Sequence, residues 1–113
     1  MSGKTDELKK LGCDLEGAME RFLDDEEFYF ECYNEVISDP CLGKLGEALE
    51  QHDVKAAFDY SHNLKGVTAN LGLTSLVNRL VGIVEPLRQG SDEGLLPLYQ
   101  DLVEEWEKYK ALL

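Results

Sequence analysis

No apolar run in the 113-residue sequence is long enough to cross a bilayer. Nor does any stretch join a basic opening, an apolar centre and a small-residue cleavage site, so neither a membrane anchor nor a secretory leader is expected, and the chain reads as cytoplasmic. Basic residues are scarce: eleven Lys and Arg stand against 23 Asp and Glu, for a formal charge of -12. A surface of that sign repels nucleic-acid backbones and anionic headgroups, and neither is an expected partner. Cysteine is sparse and odd in number. Cys13, Cys32 and Cys41 lack the paired spacing of a metal site or a disulfide framework, which leaves them as small, mostly buried side chains. The histidines, His52 and His62, have no neighbouring Cys with which to form a zinc site. The run Asp24-Asp25-Glu26-Glu27 lacks the alternating ligands and turn Gly of a calcium loop. A Gly-rich phosphate loop is missing too, so no ATP site and no cofactor of the chain's own are expected. Finally, nothing alternates polar with apolar as a half-buried strand does.

What the sequence does hold is helix signals over nearly its whole length. A hydrophobic content of 43% can supply the core of one domain spanning 1–113, with residues 1–4 expected to fray. A first helix is read over Asp6 to Lys10, and after Gly12 a short one is capped by Asp14 and carries Leu15, Ala18, Met19 and Phe22. Asp24 with Glu27 has the form of a capping box ahead of an aromatic helix bearing Phe28, Tyr29, Cys32, Tyr33, Val36 and Ile37. Asp39-Pro40 then starts a helix with Leu42, Leu45, Ala48 and Leu49, ending near His52, a solvated or locally bonded residue. Asp53 caps a long helix that Gly72 stops in a left-handed conformation. Thr74 is read as the cap of a helix bearing Leu76, Val77, Leu80, Val81, Val84 and Leu87, with Pro86 predicting a kink or an early end. Ser91 is read as the cap of a last helix through Leu95, Leu98, Leu102, Trp106, Tyr109 and Leu113, its beginning bent by Pro97. Short connections make neighbours antiparallel. The expected fold is therefore all-α, an antiparallel up-down four-helix bundle with one or two short N-terminal helices.

The long helix over 53–71 is where chemistry concentrates. At about 100° per residue, one face carries Lys55, Phe58, Asp59, His62, Lys65, Gly66 and Ala69, and the other Ala57, Tyr60, Leu64, Val67 and Leu71. His62 thus points away from the core. A neutral imidazole is a usable nucleophile near neutral pH. Lys65, three residues on, offers a mobile charge suited to phosphoryl oxygens. Gly66 costs the helix about 1 kcal/mol relative to Ala, and its missing side chain leaves room for a partner's active site to close over the ring.

The run His62, Leu64, Lys65, Gly66, Leu71, Gly72 reads H-x-L-K-G-x-x-x-x-L-G and resembles the signature of histidine-containing phosphotransfer (HPt) domains of two-component phosphorelays. Leu11-Gly12-Cys13-Asp14-Leu15 with Ala18, Arg21 and Phe22 resembles the N-terminal segment of that family. Asn63 departs from it, standing where the family often has Ser or Thr, a change expected to tune activity without removing it. The resemblance implies a phosphorelay intermediate without a kinase site, phosphorylated on Nε2 of His62, with Lys65 steadying the phosphoryl oxygens. It implies as partners the receiver domains of response regulators or a hybrid sensor histidine kinase, with any Mg supplied by the receiver and the chain acting as a monomer. Phe58, Asp59, Gly66, Ala69 and Lys55 are then partner-facing. Phe58 is read either as an exposed interface ring or as one folded into a groove, and Asp59 as a bond to Nδ1 of His62. Two other readings stand beside this one: an adaptor that binds a receiver without carrying phosphate, and a small hydrolase using His62 as general base.

Overall fold

Asp14, Asp25 and Asp53 cap three helices by accepting backbone N–H groups that the first turn leaves unpaired, each cap contributing about 1 kcal/mol. At a fourth, the expected cap Asp39 lies one residue ahead of Pro40, which holds the cap position, and accepts the Cys41 N–H. The computed structural model describes residues 3–113, as seven helices: α1 Gly3–Lys10, α2 Leu15–Arg21, α3 Glu26–Ser38, α4 Cys41–Glu50, α5 Val54–Asn70, α6 Thr74–Arg88 and α7 Leu95–Lys110. It is an all-α helical bundle, and among the described residues no helix is long and apolar enough to cross a membrane.

The bundle has four columns, and the first is broken. The Tyr29 hydroxyl near the start of α3 donates to the Leu71 carbonyl at the end of α5 (2.6 Å), whereas the Cys41 thiol at the start of α4 lies 3.7 Å from the Tyr60 carbonyl, midway along it. Together α3 and α4 therefore run antiparallel to α5. The break between them is local chemistry: Pro40 has no N–H to continue the ladder, and the Asp39 carboxylate accepts the Cys41 N–H at 2.7 Å to begin again. Then α5, α6 and α7 follow in turn, and α7 closes the ring against α4 and α3. Trp106 donates its indole N–H to the Ile37 carbonyl (3.1 Å), and Tyr33 its hydroxyl to the Tyr109 carbonyl (2.6 Å). The molecule is accordingly elongated, 43 × 23 × 21 Å.

The two short N-terminal helices cover the end at which α5 turns into α6. That turn is held by Gly72, which has φ +73 as the stop signal requires, and whose backbone is so close to Asp14 that a Cβ would collide with it. Asp14 N–H donates to the Gly72 carbonyl at 2.8 Å, and Arg21 donates to the carbonyls of Asn70 and Ala69, both at 3.0 Å. The core between the columns is aliphatic with a few large rings: Leu45, Leu64, Leu76, Leu80, Ile83, Leu102 and Trp106 are buried, each worth roughly 1.5–3 kcal/mol in transfer terms.

Several expectations are corrected by the structure. Gly3 and Lys4 are helical and not frayed, so α1 begins ahead of Asp6; residues 1–2 of the expected frayed segment lie outside the described residues. The cap of α3 is Asp25, because Asp24 sits at φ 59 in the preceding turn. Thr74 does not cap α6: its hydroxyl donates to the Gly72 carbonyl, and Leu73 holds the cap position. Ser91 caps only the local turn, accepting from Glu93 N–H, while Gly94 at φ 72 precedes α7. Helix α6 runs on to Arg88 past Pro86, with Ile83 inside and Val81 outside. Leu98 on α7 is exposed, and so is Leu113, which lies beyond the end of that helix at Lys110. Of the cysteines only Cys41 is buried; Cys13 and Cys32 are half-buried.

Candidate functional site

The outward face of α5 is made outward by what the inner face buries. Ala57, Ser61, Leu64 and Thr68 turn into the bundle, and the two hydroxyls among them satisfy themselves on their own helix, Ser61 to the Phe58 carbonyl (3.1 Å) and Thr68 to the Leu64 carbonyl (2.7 Å). That leaves His62, midway along the helix, exposed on the opposite side together with Lys55, Asp59, Gly66 and Ala69. Phe58 and Lys65 are half-buried beside it.

The His62 ring is positioned by stacking and not by hydrogen bonding. Phe58, one turn earlier, lies nearly parallel to it, with ring centroids 5.4 Å apart and planes 19° from each other. Among the described residues no hydrogen bond to the imidazole is formed, and the expected bond from Asp59 to Nδ1 is absent. Of the two readings of Phe58 the structure favours the second, because the ring is half-buried in the groove between α5 and α6. It supports the histidine and is also approached by α6, whose last residue, Arg88, places its guanidinium carbon 5.2 Å from the Phe58 centroid. Arg88 also lies against Glu85, Nε to Oε2 3.5 Å. Val54, Lys55, Phe58, Leu87 and Arg88 line an open cleft of about 190 Å³ between α5 and α6.

Lys65 makes no ion pair among the described residues. A Cβ at Gly66 would meet nothing within 4 Å, so the glycine leaves open space beside the ring and is not forced by packing. The protein is acidic, yet this face gathers Lys55, Lys65 and Arg88.

On the other flank, the Asn63 side-chain amide is 3.9 Å from Cys41 Sγ. Burial pushes the Cys41 thiol above its ordinary value, against the Asn63 contact that lowers it, so the sulfur stays a thiol at neutral pH and does not compete as a nucleophile. A general-base hydrolase requires a second catalytic group within bonding reach of the imidazole and a site closed to water. Here the ring stands on a convex helix with no such group bonded to it.

The sequence-derived residues thus share one face, and two features went unread. Arg88 belongs to a different helix and carries no motif. His52, read as solvated or locally bonded, instead bonds 40 positions away: its Nδ1 lies 2.9 Å from Asp92 Oδ2, joining the α4–α5 and α6–α7 connections, with the His52 backbone left-handed at φ 57. Its turn position gave no sign of that partner.

Comparison with known proteins gives one match, the family model described as the Hpt domain, over residues 38–112. This stretch takes in α4 to α7 and the whole His62 face. No curated protein and no solved structure matches.

Proposed function

The chain belongs to the Hpt domain family, the histidine phosphotransfer modules of phosphorelays, which are not themselves kinases, and on that footing we propose that His62 is its phosphoacceptor. The observation that carries this reading is an exposed imidazole within the family-matched segment that bonds to no described residue, stacked on Phe58 and flanked by cations and by the open space at Gly66.

Transfer runs in two steps through one atom. The Nε2 lone pair attacks the phosphorus of an aspartyl phosphate on a receiver domain. The N–P bond forms as the acyl O–P bond breaks, and the electron pair of that bond stays with the regenerated carboxylate. Nδ1 holds the ring proton during attack and can release it to solvent afterwards. The second step reverses these events toward another receiver's aspartate, or the first phosphoryl group comes from a hybrid histidine kinase. Phosphoryl transfer asks chiefly for in-line positioning and neutralised charge. Lys65 supplies part of that charge from this chain, and a Mg ion held by the receiver supplies the rest. Gly66 and Ala69 keep the surface low enough for the receiver to reach the ring, with Lys55, Phe58 and Asp59 at the rim of the contact. The protein works as a monomer in the cytoplasm.

Intact mass after incubation with a phosphorylated receiver domain tests this reading. One acid-labile phosphoryl group on the wild type, absent from His62→Gln, is the expected result. An adduct that survives His62→Gln would assign the wrong residue, and no adduct from a panel of receivers would leave a helical adaptor.

A further inference from the structure

We infer that Arg88 is a second cation of the phosphoryl site, parked on the Phe58 ring while His62 is unmodified and drawn onto the phosphoryl oxygens once it is modified. The inference rests on His62 being the acceptor. It follows from a shared support: the His62 ring and the Arg88 guanidinium each lie against the same Phe58 side chain, at 5.4 and 5.2 Å from its centroid. Phe58 thus brings the end of α6 to the reactive residue of α5.

The parked state is loosely held. The Glu85 partner is three residues away on the same helix, at 3.5 Å, and both side chains are about half exposed, the geometry in which ion pairs are weakest. Among the described residues Arg88 donates no hydrogen bond to the last carbonyls of α6, so nothing else fixes the guanidinium. The open cleft beside it leaves the side chain free to swing.

Phosphorylation changes the competition. Glu85 offers a single negative charge, whereas a phosphoryl group brings about two at neutral pH and three acceptor oxygens. A planar guanidinium binds such a group through two parallel N–H donors, which a lysine cannot do. Lys65 then acts as a point charge from α5 and Arg88 as a fork from α6. No covalent bond is added to the transfer. Arg88 shields the N–P bond from water and from premature protonation of the phosphoryl oxygens, lengthening the life of the loaded state.

Phosphoramidate, a small-molecule phosphoryl donor, loads the protein without a receiver. In NMR spectra of the wild type, the Arg88 Hδ protons are expected upfield from the Phe58 ring current and should move downfield on loading, while in His62→Gln they stay in place. The half-life of the loaded state should fall roughly three- to tenfold in Arg88→Gln, with Arg88→Lys between the two. Unmoved Hδ signals and an unchanged half-life in a protein that does load on His62 would overturn the role of Arg88 alone. Failure of His62 to load from phosphoramidate and from phosphorylated receivers would overturn the acceptor reading and this inference with it.

Discussion

At the end where α5 turns into α6, polar side chains are tied down; midway along the same helix, they are left loose. The first region holds the Tyr29 hydroxyl on the Leu71 carbonyl, Tyr33 on the Tyr109 carbonyl and Tyr109 on Ser75 Oγ, all at 2.6 Å, with Cys13 Sγ adjoining at 3.6 Å. Burial pushes all three tyrosines well above the ordinary phenol value, so they remain protonated donors throughout the physiological range. The second region has one imidazole on one phenyl ring and cations without firm partners. Order is concentrated where the backbone must be closed, and freedom on the face proposed to meet a receiver. Catalytic sites usually bury and fix their groups; here the fixing is done at a distance, by packing the opposite face of α5.

This contrast can be broken by substitutions that separate chemistry from stability. His62→Gln should abolish phosphoryl loading altogether and leave the unfolding free energy within about 0.5 kcal/mol of wild type, since it removes no buried contact. A large loss of stability in urea titrations would show the ring to be structural after all. Trp106→Ala should do the reverse. It removes a fully buried ring and leaves the Ile37 carbonyl without its donor, at a cost of about 3–5 kcal/mol, while loading of the folded fraction by phosphoramidate persists.

Gly66→Ala sharpens the comparison, because a methyl group fits the space and improves helix propensity. The variant should be more stable by about 1 kcal/mol, yet accept phosphate from a receiver more slowly while accepting it from phosphoramidate at the wild-type rate. Equal slowing with both donors would mean that Gly66 acts on the ring and not on access.

The smallest effect is an acid dependence of the tied region. Burial alone would raise the Glu105 carboxyl, but hydrogen bonds from Lys108 and Ser75 and the charges of Arg79 and Lys108 outweigh it and hold the group below its usual 4.5. A carboxyl lowered in the folded state contributes stability above its unfolded value and loses it as pH falls through the folded one. Stability should therefore decline as pH drops below about 4.5, and Glu105→Gln should flatten that decline. Parallel curves for the two proteins would assign acid sensitivity elsewhere.

Local chemistry made much of this legible in sequence. Asp14 and Asp53 cap the helices they were expected to cap, Gly72 stops α5, and a 3.6-residue period separates His62 from the core side of its helix. Caps fail where the signal is shared by neighbours. Asp24 and Asp25 are both good caps, and only the turn geometry selects the second. Thr74 and Ser91 carry the right hydroxyls but bond within the preceding turns. Arg88 and the His52–Asp92 bond are tertiary, so no window along the chain contains them. Once α5 and α6 fold about Gly72, Phe58 falls beside Leu87 and Arg88, and the meeting of Arg88 with the His62 platform follows from helix lengths.

The way Asp14 and Arg21 grip the α5–α6 turn also orders the molecule in time. Columns α4 to α7 are joined by short connections to their spatial neighbours, so most of their contacts are local and form early. The N-terminal helices bind carbonyls of Ala69, Asn70 and Gly72, which point toward them only after that turn exists. They are therefore expected to dock late in folding and to open first in unfolding, which hydrogen exchange would read as weaker protection of α1 and α2 amides than of α5.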